Sequence, residues 1–87
     1  MKLPRDVSGD ELAHRLRVLG YEFVRQKGSH VWVTCHQPGT HHLVIPRHRS
    51  LRVGTLSEMM SDVASFHGLT EQQLLHLLFD KKPRVSG

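Results

Sequence analysis

At three places in this 87-residue chain a serine or threonine stands three positions ahead of a glutamate or glutamine and is followed by apolar residues at helical spacing: Ser8 with Glu11, Thr55 with Glu58, and Thr70 with Gln73. In a capping box of this spacing the hydroxyl accepts from a backbone N–H in the first turn, and the longer side chain reaches back to the cap. The pattern therefore marks where three helices begin, and the residues downstream of each box agree. Behind the first, Leu12, Leu16 and Leu19 fall at i, i+4 and i+7 as one apolar stripe. Val7 can staple onto Leu12, and Gly20 is a C-terminal stop. His14, Arg15 and Arg17 lie off the stripe, so the outer face of this helix is expected to be basic. Behind the second box, Leu56, Met59, Met60 and Val63 form the apolar face, and Gly68 ends the helix. The third helix, Glu71 to Phe79, is so rich in leucine that its surplus reads either as core or as a surface for a partner.

Between the first two boxes there is room only for short extended runs. Tyr21 to Lys27 opens with aromatic and β-branched residues and is broken by Gly28-Ser29. From His30 to Gln37 the chain alternates: Val31, Val33 and Cys35 point one way, His30, Trp32, Thr34 and His36 the other. Pro38-Gly39-Thr40 is a turn, and His41 to Ile45 is a third run stopped by Pro46. Connections this short make an antiparallel meander. The expected class is α+β, in the order α-β-β-β-α with a short extra C-terminal helix, the helices layered on one face of the sheet. If the aliphatic set faces the helices, His30 lies on the other, wetter face with Trp32 and His36.

A chain of this length holds one core, so a single domain is expected over residues 1–87, folded over about 7–79 with a flexible tail at 80–87. Twelve lysines and arginines against eight acids leave a formal charge of +4, and eight histidines add to it below about pH 6.5. A small basic domain has a polyanion as its natural partner, nucleic acid first among them. Cys35 is the only cysteine, which excludes an internal disulfide and favours a reducing cytoplasm; in its apolar strand it reads as a buried thiol. No apolar run approaches the ~20 residues that cross a bilayer. Met1 to Asp6 lacks the apolar stretch of a signal peptide. His36, His41 and His42 raise a metal reading, but zinc needs its nitrogens to converge at about 2.0–2.1 Å. Neighbours on a strand such as His41 and His42 point to opposite faces. Neither a metal nor a cofactor is expected.

The chemistry concentrates at Lys27-Gly28-Ser29-His30. A turn delivers an imidazole to the first position of a strand, beside a cation, which suits chemistry on a phosphodiester. Alone, the stretch reads more readily as a hairpin with an ordinary surface histidine. Arg47-His48-Arg49-Ser50-Leu51-Arg52 is a second basic segment, with three arginines in six residues. Trp32, on the face of His30, either stacks an unpaired base or covers sheet surface.

Further motifs accompany these in order: Gly20-Tyr21 after the first helix, Pro46-Arg47-His48 at the end of the third strand, Gly54-Thr55-Leu56 opening the second helix, and Gly68-Leu69-Thr70 closing it. In this order and spacing they resemble the HicA family, small mRNA-interferase toxins of bacterial and archaeal toxin–antitoxin pairs. The resemblance runs over about residues 7–79. It implies a fold similar to a double-stranded-RNA-binding domain (dsRBD), endoribonuclease activity, His30 as the catalytic residue, and a HicB-type antitoxin as partner beside the RNA. The chain departs from the family at Val53 and Ser57, where basic residues are common. Arg47, Arg49 and Arg52 are left to compensate.

RNA carries its own nucleophile in the 2′-hydroxyl, so a nuclease need only move two protons and stabilise the charge on phosphorus. Histidine suits the proton transfer, with a contribution of about 10²–10⁴-fold. Lys27, Arg47 and Arg49 are candidates for the charge. Lys27, Ser29, Trp32, Arg47, His48, Arg49 and Arg52 together make the candidate RNA contacts. A non-catalytic RNA-binding module of the same fold is the alternative, and a protein-interaction domain docking through the last helix is a third reading.

Overall fold

Ser8 caps the first helix as its spacing predicts. The computed structural model, which describes residues 3–79, puts its hydroxyl 2.9 Å from the Glu11 N–H at the start of α1 (Gly9–Arg15). Only half of the box closes, because the Glu11 carboxylate receives Arg15 Nε at 2.8 Å instead. The helix tightens into a 3₁₀ turn over Leu16–Leu19 and stops at Gly20, whose φ of +89° is a left-handed conformation that favours glycine. The Thr70 box closes in full: Gln73 N–H donates to Thr70 Oγ1 at 3.0 Å, and Thr70 N–H to Gln73 Oε1 at 2.9 Å. It opens α3 (Glu71–Phe79).

The Thr55 box does not form. Helix α2 (Val53–His67) starts three residues earlier, with Arg52 at the cap position and no capping side chain. A tertiary anchor explains the shift. Leu51 is buried and its N–H donates to Val7 O at 2.7 Å. The chain thus leaves the core already aimed along the helix axis, and Thr55 falls inside the first turn.

Three antiparallel strands lie in the order β1 (Glu22–Lys27), β2 (His30–Cys35), β3 (His41–Pro46). The second strand is two residues shorter than expected at its end, and the third one residue longer. Val31, Val33, Cys35, Leu43 and Ile45 are buried against the helices, with Leu12, Leu16, Leu56, Met60, Val63 and Leu74 closing the core. This is the α+β order expected from the sequence, and it matches a dsRBD-like fold. The anticipated tail at 80–87 lies outside the described residues.

One reading of the sequence needs correction. Arg15 is not part of an open basic face. Its Nη1 donates to Leu78 O at 2.8 Å and its guanidinium lies over the Phe79 ring, tying α1 to α3. At the start of β1 the aromatic and β-branched side chains lie outside the core: Phe23 is 64% exposed and Val24 55%. As an edge strand with a bulge between Phe23 and Arg25, β1 turns these side chains past the rim of the core. Tyr21, just before the strand, is fully buried in their place. Thr34 is buried despite its place on the outer face, where His42 Nδ1 meets its hydroxyl at 2.8 Å. The leucine surplus of α3 resolves mostly as core, with Leu74, Leu75 and Leu78 buried and Leu77 half exposed.

Candidate nucleic-acid interface

The β1–β2 turn is two residues long, closed by the pair Lys27 and His30. Gly28 has a φ of +59°, and glycine at the first central position is what a type II′ hairpin requires. The turn sets His30 at the first position of β2, flanked by Lys27 on β1 and Pro46 on β3. Directly opposed residues share a sheet face, so the Lys27 and His30 side chains leave the sheet together. Both are exposed. Among the described residues the His30 side chain makes no hydrogen bond or ion pair, and its ring centroid lies 6.3 Å from that of Trp32. An exposed imidazole beside an ammonium group can exchange protons with a bound ligand.

Two backbone bonds bring the second basic segment to this corner. Arg47 N–H donates to Ser29 O at 2.7 Å, and Gly9 N–H donates to His48 O at 3.0 Å. Glycine is required at position 9 for another reason: a Cβ there would overlap Pro46 O. The start of α1 is thereby pressed against the end of β3, and Asp10 comes within reach of Arg47. The two make a bidentate pair, Arg47 Nε and Nη2 each 2.9 Å from a carboxylate oxygen. The guanidinium holds the Asp10 carboxyl below the usual carboxylate range. So Arg47 stands where expected, but occupied by an acid. His48, Arg49 and Arg52 are exposed along the loop to α2, and neither Arg49 nor Arg52 has an ion-pair partner among the described residues. Thus the structure joins Lys27, Ser29, His30 and Arg47 at one corner, with Trp32 on the same face.

Sequence reasoning left Asp10 out of this surface, and took Arg25 only as a basic residue upstream of His30, not as a partner of Trp32. The Arg25 guanidinium carbon sits 4.9 Å from the Trp32 ring centroid, over the indole. Such an exposed cation–π contact is worth about 0.5–1 kcal/mol, against about 1–3 kcal/mol for stacking a base on an aromatic ring. Pairing Arg25 with Trp32 needs only the hairpin register, which the Gly28-Ser29 turn encodes. Asp10 reaches Arg47 through a long-range contact with no local pattern.

The far end of the sheet treats histidine differently. Tyr21 OH lies 2.5 Å from His41 Nδ1 and 3.1 Å from His67 Nε2, while His41 Nε2 faces Asp62 Oδ2 at 3.3 Å. One hydroxyl proton serves both contacts if Tyr21 donates to His41 and accepts from His67. His41 also stacks on Phe66, at 4.5 Å between centroids and 14° between planes. Cys35 is buried with Sγ 3.8 Å from both Gly39 O and His67 Nε2. Burial raises the Tyr21 pKa well above its ordinary value, with Cys35 and Asp62 adding to the effect. Burial, and then the neighbouring His41, lowers that of His67. These two histidines are cross-links of the fold.

The element order and the exposed corner define a small dsRBD-like protein with a basic, histidine-bearing end to its sheet. Residues 9–64 match the family described as HicA toxin of bacterial toxin-antitoxin, and the chain belongs to that family. Comparison with curated proteins gave no match, and comparison with solved structures gave none either. Among the described residues no helix is long and apolar enough to cross a membrane.

Proposed function

We propose that this toxin is an endoribonuclease that cleaves mRNA in the cytoplasm, without a metal, and is neutralised by a HicB-type antitoxin bound over the same surface. The observation that carries this reading is the exposed His30 ring directly opposite Lys27, at a corner that also holds Arg47. Family membership supports the toxin role, and the positive charge supports a nucleic-acid target.

In the proposed reaction the 2′-hydroxyl loses its proton and its oxygen bonds to the adjacent phosphorus. The P–O5′ bond breaks, and the departing O5′ takes up a proton. The products are a 2′,3′-cyclic phosphate and a 5′-hydroxyl. His30 carries one of the two proton transfers, as general base or general acid. Lys27 stabilises the charge on the phosphorane oxygens, and Arg47 joins it when a phosphate replaces the Asp10 carboxylate. Ser29, His48, Arg49 and Arg52 flank the corner as further contacts to the backbone.

The test is incubation of the purified chain with mRNA in excess EDTA, and analysis of the new ends. Cyclic-phosphate and 5′-hydroxyl ends support the reading. RNA retained in a gel shift but left intact would instead establish a binding module without turnover.

A further inference from the structure

Two rows of side chains cross the outer face of the sheet from β1 to β3. One is Lys27, His30 and Pro46; the next is Arg25, Trp32 and Val44. His30 and Trp32 are two residues apart on one strand, so the rows are separated by roughly 6.6–6.8 Å. That is close to the length of one extended nucleotide. A phosphate held at the first row therefore puts its neighbouring base at the second. The third row, Glu22, Thr34 and His42, contains an acid and an imidazole tied to the Thr34 hydroxyl, and holds no indole, arginine or lysine. The pairing of an indole with a guanidinium is confined to the second row.

We propose that Arg25 and Trp32 form the seat of one unpaired nucleobase next to the cleaved phosphate, so that the substrate is an extended single strand. This rests on the nuclease reading only for the position of the phosphate. The base takes the guanidinium's place on the indole, exchanging the weaker of the two contacts for the stronger. The displaced guanidinium then meets a flanking phosphate, where its planar fork fits two oxygens. A duplex cannot make this exchange, because its bases are already stacked and paired. Arg25 thus acts as a gate over Trp32 that single-stranded RNA opens.

Trp32 is the only tryptophan in the chain, so its emission reports this site alone. The full-length H30A protein, which leaves the RNA intact, is titrated with an unstructured single-stranded RNA octamer and with the same octamer in a duplex. Indole emission should be quenched by the single strand and unaffected by the duplex. W32L should weaken single-strand binding by roughly 5- to 150-fold. R25A should keep the quenching and lower the salt dependence by about 0.7 log units per decade. Binding of the single strand without quenching, or unchanged affinity in W32L, overturns the proposal; an unchanged salt slope in R25A overturns the role given to the guanidinium. Quenching in H30A together with no RNA cleavage by the wild type would refute the nuclease reading and leave the base seat standing. Cleavage by the wild type with no quenching in H30A would do the reverse, and no RNA binding at all would end both.

Discussion

The two ends of β2 hold the same kind of side chain in opposite circumstances. At the start, His30 is exposed, has no polar partner among the described residues, and stands opposite a lysine. At the end, beside buried Cys35, His41 and His67 meet the hydroxyl of a fully buried tyrosine. An imidazole whose nitrogens are already engaged inside the fold has no proton to exchange with a ligand. One left open beside a cation does. Burial and partners, more than residue type, separate the fastening His41 and His67 from the open ring of His30, the group we propose as reactive.

That contrast can be broken most severely at Tyr21. Truncation by Y21A should cost about 3–5 kcal/mol, as for other large buried aromatics, and leave His41 and His67 without their shared partner. Chemical denaturation would measure it; a cost below about 1 kcal/mol would deny the closed end its structural weight. Gly9 tests the corner from the other side. G9A forces a Cβ toward Pro46 O, so it should destabilise by about 1–3 kcal/mol. RNA binding should fall as well at temperatures where the variant is folded, because the start of α1 supports the Arg47 segment.

Acid should act on the closed end. The folded pKa of His67 is lowered by burial, so the unfolded chain takes the proton more readily. Its contribution to stability is intact above the unfolded value of about 6.5 and is lost as pH falls from there toward the lowered folded value. Melting temperatures at about pH 7.5 and 5.5, on either side of that value, should differ accordingly, and H67F should reduce the difference. The smallest effect is expected at Asp10. D10N should hardly change the melting temperature, since the pair with Arg47 is exposed. It should tighten RNA binding in the H30A background, and R47A should erase that gain. Weaker binding in D10N would mean that the acid positions Arg47 rather than competing for it.

How far the sequence could be read depended on whether the cause was local. The Thr70–Gln73 box, the Gly20 stop and the period-2 pattern of β2 are local, and each stands as expected. The Thr55 box gave way to the buried anchor at Leu51, which only the tertiary fold supplies. Arg15 looked like solvent-facing charge because nothing nearby in sequence announces Leu78 O or the Phe79 ring. The same holds for the site. His30, Lys27 and Trp32 were legible from strand alternation and the turn, whereas the Asp10–Arg47 pair depends on two backbones meeting at Gly9 and Pro46. The Tyr21 network was hidden for a related reason, since residues 21, 41 and 67 share no periodicity.

The division between the two ends is tested most directly by H30A and H41A side by side, each assayed for RNA cleavage in EDTA and for thermal unfolding. The account predicts a crossed result. H30A should melt within a degree or two of wild type and lose about 10²–10⁴-fold in cleavage rate. H41A should lose about 1–3 kcal/mol of stability, roughly 4–8 °C of melting temperature per kcal/mol in a domain of this size, yet cleave normally while folded. Undiminished cleavage by H30A, or the loss of cleavage in a fully folded H41A, would contradict it.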